Sequence, residues 1–108
     1  MAEKTELVRG TLDMLVLRVL YRGKLHGWGI NQKLQQISKN ALHVEEGSLY
    51  PALYRMESKG WLKPEWRVTE NGQRAKYYSL TRTGRKQLEA EKESWDRMAS
   101  IIALVMES

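Results

Sequence analysis

The chain of 108 residues contains no cysteine, which excludes a disulfide framework, a thiolate metal site and a thiol redox sensor. No apolar run approaches the roughly 20 residues needed to span a bilayer. The first residues, Met-Ala-Glu-Lys-Thr-Glu, lack the cationic-then-apolar pattern of a secretory signal, so the cytoplasm is the expected location. A P-loop, a nucleophile elbow and a Gly-rich dinucleotide turn are all missing. Neither His26 nor His43 has a Cys, His or carboxylate partner at ligand spacing, and no metal or cofactor is expected. Glu45 and Glu46 form no catalytic dyad, because adjacent helical residues do not face each other. An enzyme is the least expected class.

What remains is an ordinary globular composition, 42% hydrophobic, with room for one compact domain and an appendage. The net charge of +5 is unevenly placed. Residues 1–80 hold 13 basic against 8 acidic side chains, and residues 81–108 hold 5 of each. The excess positive charge therefore lies where a polyanion would be met.

Hydrophobic spacing predicts a first helix over about Thr5–Tyr21, with Leu7, Val8, Leu12, Leu15, Leu17, Val19 and Leu20 making an unusually wide apolar surface that ends at Gly23. A second helix is expected over 27–38, with Trp28 or Ile30, Leu34 and Ile37 inward, and a third over 44–59. In the third, Leu49, Leu53 and Met56 recur on one face. Ser48, Tyr54, Arg55 and Ser58 fall mostly on the other, a face of hydroxyls, a phenol and a guanidinium suited to a major groove. Placing Ser48 near the cap puts Pro51 in the tolerated first turn. Two extended runs, 61–68 and 74–80, flank Asn71-Gly72, a strong hairpin signal, and Pro64 assigns the first run to an edge. Three helices followed by a basic hairpin make a winged helix-turn-helix.

Thr81 is a good N-cap for a last helix. Within it, Leu88, Trp95, Met98, Ile102 and Val105 follow a coiled-coil seam, with Glu91 at one seam position. So apolar a face is expected to pair with the same helix of a second subunit, and Ile101 and Leu104 widen it. The expected fold class is mainly α (α+β): a DNA-binding domain over 5–80 with a two-stranded β wing, and a C-terminal dimerisation helix over 81–108.

The blocks Arg9-Gly10-Thr11-Leu12-Asp13, Leu25-His26-Gly27-Trp28-Gly29-Ile30, Glu46 to Met56, Lys59-Gly60-Trp61 and Lys76 to Thr81 together resemble the PadR-type transcriptional regulators, in a short form. The Gly-Ser-Leu-Tyr-Pro-x-Leu segment is the most specific, and the resemblance spans about residues 5–105. It implies a dimeric winged-helix protein, usually a repressor, that leaves DNA when an effector binds. Trp28 stands where the family usually has tyrosine and reads as a packing variant.

The candidate DNA contacts are Ser48, Tyr50, Pro51, Tyr54, Arg55 and Lys59 on the third helix, Arg74 and Lys76 on the wing, and Lys24 and Lys33 around the second helix. Arg55 would reach guanine or phosphate, and the tyrosines would either touch DNA or cover the core edge. Trp95, facing its symmetry mate, is either a hydrophobic anchor or a stacking surface for a flat aromatic effector, as in multidrug-sensing members of the family. The expected partners are double-stranded DNA, a second copy of the chain and such an effector, with no membrane. The alternative function is a winged-helix protein-interaction module without specific DNA binding.

Overall fold

Apolar residues surround the segment Arg9–Tyr21 almost completely, and such a helix has to be buried on several sides. In the computed structural model, which describes residues 9–108, it is the central helix α1. Leu12, Val16, Leu17, Val19 and Leu20 are buried, and Met14 and Leu15 pack against the same core. The expected first turn from Thr5, with Leu7 and Val8, lies outside the described residues.

A short strand β1 (Leu25–His26) follows, pairing antiparallel with Tyr78 and Tyr77. The sheet therefore has three strands, where the sequence indicated a two-stranded wing. His26 then caps helix α2 (Gly27–Ile37), its Nδ1 accepting the Gly29 N–H at 2.9 Å. Helix α2 buries Ile30 and Leu34. Of the alternatives Trp28 and Ile30 the inward residue is Ile30, and the expected Ile37 is not inside. Trp28 is 64% exposed and Ile37 is also exposed: Ile37 shares the face of Ile30 but sits in the final turn, where α2 has run past the core. Trp28 is accordingly a surface residue rather than a packing variant, its ring stacked beside His26.

The α2–α3 connection is held by Asn31, which donates to the Val44 carbonyl at 2.7 Å and accepts the Val44 N–H at 3.3 Å. Helix α3 (Glu46–Ser58) falls within the expected 44–59, but its N-cap is Glu45 and not a residue near Ser48. Pro51 is therefore the sixth helical residue and lies beyond the first turn. Its missing N–H leaves the helical bond to the Gly47 carbonyl unmade, and Gly47 is exposed, so water can take that place.

Strands β2 (Leu62–Val68) and β3 (Arg74–Leu80) pair from Leu62↔Leu80 to Val68↔Arg74, in the sheet order β1-β3-β2. Pro64 is thus on an edge strand, where its missing donor is tolerated. Paired residues share a face. At the base that face holds the buried Leu62 and Tyr78, and at the tip it holds Trp66, Lys76, Val68 and Arg74.

Helix α4 (Arg82–Met106) starts at Thr81, whose hydroxyl accepts the Gly84 N–H at 3.0 Å and donates to the Gly60 carbonyl at 2.6 Å. Gly84 is buried against the Trp61 carbonyl, and a Cβ there would penetrate that oxygen. Replacement of a mid-helix glycine by alanine normally favours a helix by about 1 kcal/mol. Here Gly84→Ala is expected to destabilise by about 1–3 kcal/mol, as overpacked sites do, measurable as a lower urea midpoint with unchanged m-value.

Candidate nucleic-acid interface

Helix α3 divides cleanly. Leu49, Ala52, Leu53 and Met56 are buried, while Ser48, Tyr50, Pro51 and Tyr54 are exposed. Tyr54, at 69% exposure, stands fully off the core. Tyr50 does both jobs the sequence allowed: its ring lies against the first turn of α2, so close that a Cβ on Gly27 would meet it at 2.6 Å, yet it remains nearly half exposed. A Cβ at position 27 would push the tip of the Tyr50 ring aside.

Between α3 and the wing runs an open groove of about 510 Å³, whose walls include Trp28, Tyr50, Trp66, Asn71, Arg74 and Lys76. Trp28 and Trp66 are the residues here that sequence reasoning missed. The signal for Trp66 was its place on the core-facing side of a strand, two residues past the point where the core ends.

The cations expected to meet DNA are not equivalent. Lys33 is exposed on α2, and Lys59 is exposed with its ammonium 4.7 Å from the centre of the Trp61 ring. Arg74 is exposed and lies over the Trp66 ring. Lys24 is paired with Glu65 at 2.9 Å, and Lys76 with Glu57 at 2.9 Å. The Lys24 ammonium holds the Glu65 carboxyl below its ordinary range, and the Glu57 carboxylate raises Lys76 above its own.

Arg55 departs furthest from expectation. It is not on the open face: its Nη2 is ion-paired with Oδ1 of Asp13 on α1, and its side chain is only 25% exposed. The reason lies in α1, which buries Asp13 to 5% exposure within an otherwise apolar surface. A buried carboxylate needs a charged partner, and Arg55 is the one α3 supplies.

Glu91 of α4 lies close to this pair. One of its oxygens, Oε2, is buried without a hydrogen-bond partner, and Gln87 donates to the other at 3.3 Å. Burial pushes its carboxyl above the usual range and the nearby Asp13 adds to the rise, while Gln87, Lys59 and Arg55 oppose it.

The rest of α4 presents the seam. Leu88, expected within it, is instead part of this chain's own core at 7% exposure, because α4 rests on α1 at that level. From Trp95 onward nothing covers the helix among the described residues: Trp95, Met98, Ile101, Ile102, Leu104 and Val105 are all exposed. Beside Trp95 a shallow groove of about 330 Å³ runs between α1 and α4, lined by Thr11, Met14, Glu91, Ser94, Trp95 and Met98.

No group of three or more potential metal-ligating His, Cys, Asp or Glu side chains occurs among the described residues. Among the same residues, no helix is long and apolar enough to cross a membrane.

A helix–loop–helix that exposes one polar face beside a β-hairpin defines the winged helix-turn-helix class. The model of the PadR-like family of transcriptional regulators matches residues 16–90, and the chain belongs to that family. It is 30% identical over 94 residues to a transcriptional regulator of Mycobacterium tuberculosis, spanning 87% of this chain and 84% of the relative. It is also similar to the crystal structure of a PadR-like transcriptional regulator from Bacillus cereus, with TM-score 0.79 and 26% identity over 96% of this chain and 99% of that one. A PadR family regulator from Eggerthella lenta gives TM-score 0.79 and 31% identity, over 93% and 85% of the two chains. The four helices and the three-stranded antiparallel sheet are thus shared with solved members of the family.

Removing Asp13 strands a half-buried guanidinium. Asp13→Ala should cost about 2–3 kcal/mol, below the 3–5 typical of fully buried pairs because Arg55 keeps partial contact with water, and urea denaturation measures it. For Glu91 the folded state binds its proton more tightly than the unfolded chain does, so its contribution to stability falls as pH rises through the interval above 4.5. Glu91→Gln should therefore raise the melting temperature by a few degrees at pH 7 and leave it almost unchanged at pH 4, as followed by thermal melts at both pH values.

Proposed function

We propose that this chain is a sequence-specific DNA-binding repressor that acts as a homodimer on a near-palindromic operator. The observation that carries the reading is the outer face of α3, where Ser48, Tyr50, Pro51 and Tyr54 are open to solvent while the opposite face is locked into the core. Membership of a family of transcriptional regulators supports the same role. In this reading α3 enters the major groove, Lys33 and Lys59 meet phosphates, and Arg74 reaches DNA from the wing. Arg55 acts indirectly, by fixing the tilt of α3 on α1 through Asp13. Lys24 and Lys76 contribute only after exchanging their carboxylate partners for phosphate.

Dimerisation uses Trp95, Met98, Ile102 and Val105, with Ile101 and Leu104 at the margin. Burying each Ile, Val or Met side chain is worth about 1.5–3 kcal/mol, so an unpaired seam of this length is strongly unfavourable in water. The two α3 helices then address half-sites about one helical turn, roughly 34–36 Å, apart. The groove beside Trp95 is where a flat aromatic effector would bind and release the protein from DNA. A protein-interaction module is the second reading, favoured by the pairing of Lys24 with Glu65 and of Lys76 with Glu57, which withdraws two cations from a DNA-facing surface.

Fluorescence anisotropy against the DNA upstream of the chain's own gene and a scrambled duplex, across a salt series, tests the choice. A dimer by size-exclusion chromatography at micromolar concentration, with a preference of about several hundredfold at physiological salt, supports the repressor. Tyr54→Ala should then weaken specific binding by about tenfold or more, the loss of one good contact. A monomer that binds neither duplex at low salt transfers the chain to the second reading.

A further inference from the structure

The wing turns two cations toward the α3 side of its sheet and holds them by different means. Lys76 is neutralised by Glu57 at 2.9 Å. Arg74 lies over an aromatic face, its guanidinium carbon 5.0 Å from the centre of the Trp66 ring. The strand register explains the contact. Trp66 faces Lys76 and Val68 faces Arg74, so Trp66 and Arg74 are diagonal neighbours on one face, a spacing that aromatic and long side chains bridge. Trp66 does little for the core, being 56% exposed. An indole left largely in water at the edge of a candidate DNA groove calls for another use.

A guanidinium held over an aromatic ring presents its N–H donors as a rigid planar fork and has already given up much of its rotamer freedom. An ammonium on a flexible stem gains no such fixed direction. Narrow, A·T-rich minor grooves carry an enhanced negative potential that attracts an inserted arginine, and a G·C pair places an amino donor on that same groove floor. We propose that Trp66 is a positioning residue for DNA recognition: its indole holds Arg74 in the conformation that enters the minor groove beside each half-site. The preference of the protein for A·T-rich flanks then depends on Trp66 whether or not the indole touches DNA. This inference rests on the DNA-binding reading above.

The test uses duplexes enriched by the full chain from a randomised pool, with half-sites kept constant and flanks rebuilt as A-tracts, as G·C pairs or as inosine·cytosine pairs, which lack the minor-groove amino group. Anisotropy on wild type should show about a tenfold preference for A-tract and inosine flanks over G·C. Arg74→Ala should abolish it, Trp66→Ala should reduce it to about twofold, and Trp66→Phe should retain most of it, since a stacking surface is what the role requires. The double variant should be no worse than Arg74→Ala alone, the sign that the two residues act as one unit. Unchanged discrimination between intact and altered half-sites in every variant shows that α3 is still correctly held. Full flank preference in Trp66→Ala, or equal loss in Trp66→Phe and Trp66→Ala, overturns the inference while leaving DNA binding in place. Failure of wild type to enrich any duplex removes the DNA-binding reading and the inference together.

Discussion

One short helix has to satisfy four neighbours at once. Helix α1 packs against α2, α3, β3 and α4, and thirteen residues offer too little surface for any side to be polar. Among the described residues the one buried charge is Asp13, compensated by Arg55 from α3. That ion pair is directional in a way apolar packing is not. Leucines facing one another tolerate rotation and sliding by small amounts, whereas a guanidinium and a buried carboxylate hold one arrangement. The pose of α3 on the rest of the domain is therefore set by charge as well as by the fit of Leu49, Leu53 and Met56.

The electrostatics of the first eighty residues follow a related division. The formal excess of positive charge is not spread as a uniform field. Arg55 is committed to Asp13, and Lys24 and Lys76 rest on Glu65 and Glu57. Arg18, Arg22, Lys33, Lys39, Lys59, Lys63, Arg67 and Arg74 remain exposed. Exposed pairs such as Lys24–Glu65 contribute little to stability, and their carboxylates can be exchanged for a stronger anion at modest cost.

Much of this architecture was readable from residue spacing. The i, i+4, i+7 recurrence of Leu49, Leu53 and Met56 identifies the inner face of α3, and Asn71-Gly72 between two β-rich runs marks the wing. Three features were out of reach for physical reasons. A two-residue strand such as β1 has no periodicity to detect. Leu88 satisfies the heptad as well as Trp95 does, and spacing alone cannot say whether a seam residue is covered by its own chain or by another. Arg55 lies at the boundary between the two faces of α3, and only the position of Asp13 in three dimensions decides which way it turns. The misplaced cap of α3 has a simpler origin: a proline suits a first turn, yet with Gly47 exposed the helix carries Pro51 one turn further in.

Between the last residue of β3 and the first of α4 stands Thr81 alone, pinned by its bonds to Gly60 and Gly84. There is no slack at this joint. In the dimer proposed above, the wing and the recognition helix join the pairing helix through this one residue, so the way the two pairing helices meet would set the separation and phase of the two reading heads. Adding a single base pair between half-sites would rotate one of them by about a tenth of a helical turn, and the joint between β3 and α4 offers one residue with which to follow. Such a dimer would sense the spacing of its half-sites along DNA as well as their bases.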